Sequence, residues 1–207
     1  MRPMKLHWSP KSPYVRKVMI ALHELSLLSE VECIRTVAVM KSPNPTLMAD
    51  NPLGKIPTLA LDDGRVIIDS FAICDYLDER AGGGRLFPAR GAARIQALAW
   101  HALGSGLTDI LILWRNEREK APAQQTPEWI SAFGLKTRAT LARLEENAEE
   151  LAAAPFSIGH IGVGCALSYM DFRFEDLRWR EDHPRLAAWH VHFSARPSAL
   201  ATEVVDA

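Results

Sequence analysis

The 207-residue chain predicts two domains of different class, a small mixed α/β domain followed by an all-helical one. Three observations carry that prediction. Short apolar β-prone runs alternate with helical periodicity through the first eighty or so residues. Ala81-Gly82-Gly83-Gly84 and Pro88 then interrupt the pattern as a flexible break. Beyond that break every periodic stretch reads as helix. The expected ranges are 1–81 for the first domain, 82–92 for the linker and 93–207 for the second domain.

In the first domain, Met4-Lys5-Leu6-His7-Trp8 is a short apolar strand closed by the turn signal Ser9-Pro10. Tyr14, Val18, Ile20, Ala21, Leu22 and Leu25 then recur at helical spacing. Ser12 stands where an N-cap belongs, with Pro13 at the first helical position, where a missing N–H costs nothing. A second strand is expected over 31–39. The segment from Met40 to Leu53 holds Pro43, Pro45 and Pro52 and is expected to be irregular. Thr58-Leu59-Ala60-Leu61 and Arg65-Val66-Ile67-Ile68 flank Asp62-Asp63-Gly64, a strong hairpin signal. A helix opens at Ser70, with Phe71, Ile73, Cys74 and Leu77 as its apolar side. A small mixed sheet faced by helices in this order is consistent with a thioredoxin-like domain.

In the second domain, Ile95, Leu98, Ala102, Leu107, Ile110, Leu111 and Trp114 form a stripe on one long helix. Gly104-Ser105-Gly106 interrupts it, which calls for a kink or a close backbone approach, since a mid-helix glycine costs about 1 kcal/mol. Further helices are expected from Pro127 to before Pro155, from Ser157 to about Leu177, and from His183-Pro184 onward.

Composition narrows the function classes. Hydrophobic content of 48% and charged content of 24% are ordinary for a globular protein. A net charge of −1 argues against a nucleic-acid or anionic-membrane partner, because both need clustered Lys and Arg. No unbroken apolar run reaches the roughly twenty residues that span a bilayer, and no signal-peptide pattern is visible. Three widely spaced cysteines, Cys33, Cys74 and Cys165, fit small buried thiols in a reducing compartment, and the expected location is cytoplasmic. No His/Cys cluster has metal-ligand spacing, and neither a phosphate loop nor a nucleophile elbow is present.

Ser12-Pro13-Tyr14-Val15-Arg16-Lys17-Val18, Asn51-Pro52-Leu53-Gly54-Lys55-Ile56-Pro57-Thr58-Leu59 and the helix-opening Asp69-Ser70 together resemble the cytosolic glutathione transferases, in particular serine-type bacterial members. The similarity continues through Tyr169-Met170-Asp171-Phe172-Arg173 and His183-Pro184-Arg185-Leu186-Ala187-Ala188-Trp189, so it covers nearly the whole chain. The Asn-Pro-Leu-Gly-Lys-Ile-Pro run is its most specific part. The resemblance implies the architecture of that family, a thioredoxin-like domain before an all-α domain. It also implies glutathione as co-substrate, a homodimer, and attack of the glutathione thiolate on a small hydrophobic electrophile. In that family the helix matching 95–114 lines both the substrate cleft and the dimer contact.

The chemistry needs a thiol kept ionised. A free thiol titrates near 8.5, so a helix N-terminus with a hydroxyl donor beside it is what favours the thiolate. Ser12 is the expected donor; Ser9, three residues earlier, is its rival. Both positions carry serine where redox relatives of the fold have Cys-x-x-Cys, which argues against a disulfide cycle. Capping alone also accounts for Ser12. Tyr14 is a further glutathione-side candidate. The resemblance implies a cis Ile56-Pro57 bond, which would turn the Ile56 backbone toward the cysteinyl residue of glutathione. Lys55 meets either the glycyl carboxylate or solvent. Asp69 is expected to pair with the α-amino group, and Ser70 to cap its helix and receive the γ-glutamyl carboxylate. Many relatives have Glu where Asp69 stands, one methylene longer. Trp8, Pro10, Trp100, His101 and Trp114 are the candidates for the electrophile pocket, whereas Trp179 and Trp189 read as helical packing.

One departure stands out. Relatives carry Ser or Thr followed three residues later by Asp, a capping box, at the place of Ser157-Ile158-Gly159-His160. Neutral His160 accepts an N–H bond but lacks an anion's attraction to the helix dipole, so a weaker helix start and lower stability on acidification are expected. The alternatives to a transferase are a non-catalytic stress-regulatory or binding protein on the same fold, and a glutathione-dependent lyase or reductase.

Overall fold

The structure, a computed structural model, describes residues 3–204. The outermost ends of the two expected domain ranges, residues 1, 2 and 205–207, lie outside the described residues. The chain divides into two compact units with the cut at Arg94/Ile95, and the segment from Pro197 returns to the first unit.

The first unit is built on a four-stranded sheet of order β2-β1-β3-β4. Strands β1 (Met4–Trp8) and β2 (Val31–Arg35) run parallel, while β3 (Thr58–Ala60) and β4 (Val66–Ile68) are antiparallel additions. Helices α1 (Pro13–Glu24) and α3 (Ser70–Arg80) pack together, burying Val18, Leu22, Ile73 and Leu77 along with Leu6 and Leu59 of the sheet. This is the thioredoxin-like arrangement expected from the order of elements.

Several expectations need correction here, the simplest being that the second strand ends at Arg35 and not at Val39. The proline-rich segment contains a helix, α2 (Pro45–Asp50). Asn44 caps it, its Oδ1 accepting the Thr46 and Leu47 N–H groups at 3.1 and 3.3 Å, and Pro45 takes the first helical position. Proline at that place starts a helix instead of breaking one. Cys33, expected to be buried, is exposed because it lies on the edge strand β2, whereas Cys74 and Cys165 are buried. The glycine-rich break is also tied down. The buried carboxylate of Asp78 accepts backbone N–H bonds from Gly84, Arg85, Leu86 and Phe87 at 2.7–3.2 Å.

The second unit comprises most of α4 (Gly91–Arg118), then α5 (Pro127–Glu146), α6 (Ala148–Ala153), α7 (Ile158–Arg173), α8 (Trp179–Asp182) and α9 (Pro184–Ser194); α10 (Pro197–Leu200) belongs to the first. The helix expected to end before Pro155 is two helices, broken at Asn147. Helix α7 is buried on all sides from Ile158 to Leu167 and forms the centre of this unit. Two of its glycines, Gly159 and Gly162, meet the α4 backbone, whereas Gly164 faces the Phe193 ring. A Cβ at Gly159 would lie 2.8 Å from the Ala97 carbonyl oxygen, one at Gly162 3.0 Å from the His101 Cα, and one at Gly104 would overlap the Gly162 backbone. Of the two ways expected for α4 to absorb Gly104, close approach is the one used, and the helix runs unbroken. By length and composition α4 would also suit a bilayer, but Trp100, Leu107, Leu111 and Trp114 on it are buried in protein.

Candidate functional site

Helix α1 starts as its sequence dictates. Ser12 is the N-cap with extended backbone, its carbonyl accepts the Arg16 N–H at 3.0 Å, and Pro13 follows. The Ser12 Oγ accepts the Val15 N–H at 3.3 Å. Because the oxygen is the acceptor in that bond, the hydroxyl hydrogen remains for a second partner. The side chain is half-buried, next to the first-turn N–H groups and the positive end of the helix dipole. Ser9 sits one turn back, its carbonyl accepting the Ser12 N–H at 3.3 Å. Trp8, Ser9, Pro10 and Tyr14 are half-buried around this turn, with the Arg35 guanidinium 5.9 Å from the Trp8 ring and the Lys17 ammonium 5.1 Å from the Tyr14 ring.

The loop before β3 is ordered by Asn51, a residue the sequence analysis quoted but did not place in the site. Its Nδ2 donates to the Lys55 carbonyl at 3.0 Å and to Thr58 Oγ1 at 2.9 Å, and its Oδ1 accepts the Leu53 N–H at 3.0 Å. Gly54 turns the loop with φ +59°, a conformation that favours glycine. The Ile56-Pro57 bond is cis, as the resemblance implied. Lys55 is exposed, Ile56 half-buried and Pro57 buried.

Asp69 has φ 75°, rare for a non-glycine residue and typical of places where a ligand contact is held under strain. Its Oδ1 accepts the Phe71 and Ala72 N–H groups at 2.7 and 3.1 Å, so the α3 cap is Asp69, and Ser70 is the buried first helical residue. The second carboxylate oxygen has no part in that cap.

Strand register brings these three pieces together. His7 pairs with Thr58, and Thr58 pairs with Ile68. The turn leading to Ser12, the Ile56-Pro57 bond and Asp69-Ser70 therefore all leave the sheet at the same end. Trp100, His101 and Trp114 lie in the second unit and are buried there. Trp100 meets His160 edge-on at 5.6 Å, Trp114 packs on Phe174 at 5.2 Å, and His101 Nε2 lies 3.2 Å from Ser105 Oγ.

The box at the start of α7 is complete with histidine in the acidic place. His160 Nε2–H donates to the Leu151 carbonyl at 2.9 Å, so Nδ1 is left to accept from the Ser157 N–H at 3.1 Å and the Ser157 hydroxyl at 3.0 Å. Burial pushes the imidazole below its ordinary titration range; the Leu151 carbonyl opposes this and Arg196 adds to it. A neutral ring is the form that can make all three bonds.

Residues 11–80 match the family model for the glutathione S-transferase N-terminal domain, and residues 127–191 match that for its C-terminal domain. The chain is similar in structure to a glutathione transferase family member from Pseudomonas fluorescens Pf-5 with bound glutathione. The TM-score is 0.94, with 46% identity over 98% of this chain and 99% of that one. A glutathione S-transferase from Methylobacillus flagellatus KT with glutathione bound gives a TM-score of 0.89, with 33% identity over 98% of this chain and 100% of that one. The uncharacterized GST-like protein YibF of Escherichia coli K12 is 26% identical over 202 residues, covering 97% of this chain and 98% of its own. A mixed four-stranded sheet before a helical unit, with both domain matches and these structural likenesses, establishes that the chain belongs to the glutathione S-transferase family.

Proposed function

We propose that this family member is a glutathione transferase in which Ser12 holds the glutathione sulfur as a thiolate. The observation that carries the reading is the direction of the Ser12 cap bond. With Oγ accepting the Val15 N–H, the O–H points its hydrogen elsewhere, and a sulfur at the mouth of α1 is the acceptor this geometry favours. In the reaction the sulfur lone pair forms a C–S bond to a small hydrophobic electrophile, and the leaving group departs with its bonding electrons. The Ile56 backbone pairs with the cysteinyl residue, Lys55 faces the glycyl carboxylate, and the Ser70 N–H and hydroxyl take the γ-glutamyl carboxylate. The free Asp69 oxygen takes the α-amino group. Support comes from the Pseudomonas fluorescens relative, which has been seen with both glutathione and S-(propanoic acid)-glutathione, a thioether of the kind such a reaction makes.

The same reading makes the protein a cytoplasmic homodimer serving detoxification, with sedimentation as the check on assembly. A glutathione-dependent isomerase is the second reading, favoured by 30% identity over 139 residues to the maleylacetoacetate isomerase of Pseudomonas aeruginosa. Isomerised product with free glutathione returned would select it. The deciding experiment is a glutathione titration by calorimetry together with thiolate absorbance against pH. Ser12→Ala is expected to raise the pKa of the bound thiol; an unchanged value removes Ser12 as donor, and absence of binding in the wild type removes the reading.

A further inference from the structure

The buried histidine of β1 takes no part in the Ser12 site, yet it grips the loop that carries Lys55, Ile56 and Pro57. His7 is 3% exposed, and its ring lies between two other elements. Nδ1 is 2.9 Å from Thr36 Oγ1, just past β2, and Nε2 is 2.8 Å from Oδ2 of Asp50, the last residue of α2. A proton on Nε2 donates to the Asp50 carboxylate, while the Thr36 hydroxyl, which donates to the Ile34 carbonyl at 3.0 Å, braces the other side of the ring. Asp50 leads directly into Asn51, whose amide ties Lys55 and Thr58. Thr58 is in turn the cross-strand partner of His7. The loop from Asp50 to Thr58 is thus closed on one residue at both ends, by the His7 side chain at its start and the His7 backbone at its finish.

We infer that His7 and Asp50 form a clasp that positions the Lys55-Ile56-Pro57 segment for glutathione, an inference that rests on the glutathione reading above. The physical reason is preorganisation. A loop held in place before the ligand arrives spares binding the entropy of ordering it, and that saving appears as affinity. The clasp does not touch the sulfur or Ser12, so it acts on ligand capture and leaves the chemical step alone. Asp50 faces solvent, where ion pairs usually contribute little. Its partner is a buried ring, however, and removing the carboxylate leaves a buried N–H without an acceptor, which costs more than an exposed pair.

Asp50→Ala cuts the clasp from the solvent side, where folding is least at risk. Glutathione Kd by calorimetry is expected to rise about tenfold, as for loss of one charge-assisted hydrogen bond. With an activated chloronitroarene as electrophile, KM for glutathione rises in step, while kcat at saturating glutathione stays within about twofold. Amide exchange at Leu53, Gly54 and Ile56 quickens. Asp50→Asn, which keeps an oxygen acceptor, restores most of the affinity, and His7→Phe added to Asp50→Ala worsens Kd no further. Wild-type Kd and wild-type exchange in Asp50→Ala overturn the clasp, as does a loss confined to kcat and thermal stability. If the wild type binds no glutathione, the transferase reading falls by itself, and the exchange measurement separately reports whether His7 and Asp50 order the loop.

Discussion

Two helices of this protein begin at a serine and put it to opposite uses. At α1, Ser12 is half-buried, and the residue three places on is Val15, whose side chain has nothing to offer back. Its cap is open, with a hydroxyl hydrogen to spare. At α7, Ser157 is buried, and His160 three places on closes the box with both the N–H and the hydroxyl of the serine. Here the serine N–H and hydroxyl and both ring nitrogens have partners within the unit, and α4 lies against the helix backbone. The same residue at the same position therefore keeps a hydroxyl hydrogen to spare in one place and is closed within the fold in the other. The third helical position and the surrounding burial decide which.

Breaking the open cap carries the largest expected effect. Ser12→Ala is expected to lower kcat/KM about a hundredfold, the scale for losing one preorganised donor to a developing or held anion, with the unfolding midpoint moving only by the roughly 1 kcal/mol of a lost cap. Equal losses at both readouts would mean that α1 uses its serine as α7 does. At the closed start, Gly159→Ala pushes a methyl toward the Ala97 carbonyl and Trp100, and about 2 kcal/mol of stability should be lost in denaturant unfolding. Ser157→Ala should cost about 1 kcal/mol there with the glutathione thiol's pKa unmoved.

The smallest effect is the most specific to histidine. Burial holds the His160 pKa below its unfolded value, so between the two values the unfolded chain binds more protons and stability rises with pH. Stability is full above about 6.5, the ordinary value for His, and is lost as pH falls from there through the folded value. Protonation also places a hydrogen on Nδ1, which then can no longer accept from Ser157. His160→Gln keeps a side-chain acceptor without the titration, so a flatter dependence of thermal midpoint on pH between 7 and 5 is expected. An unchanged slope would show that the acid sensitivity lies elsewhere.

Much of the first unit was readable from local chemistry. Ser12-Pro13 marks a helix start because a cap bond spans only three residues, and Asp62-Asp63-Gly64 marks a hairpin because Gly64 takes φ +86°. Local reading failed where a residue type has two uses. Pro45 looked like a breaker and is a helix-starter; the glycine-rich break looked loose and is anchored by Asp78 from the preceding helix. At the α7 start the sequence allowed neutral histidine to accept the serine N–H, and it does so because the Leu151 carbonyl selects the tautomer that leaves Nδ1 as acceptor.

The sequence by itself determined the order of the strands, the starts of the helices at Ser12 and Ser157, and the residue types of the glutathione signature, all of which depend on neighbours a few positions apart. Only the tertiary structure decided that His7, Thr58 and Ile68 lie side by side, so that three segments distant in the chain leave the sheet at one end. It likewise decided that His7 reaches Asp50, that Gly104 meets Gly162, and that Cys33 faces outward. Strand register and helix crossing are set by packing whole faces against each other, and no short stretch of sequence contains that information.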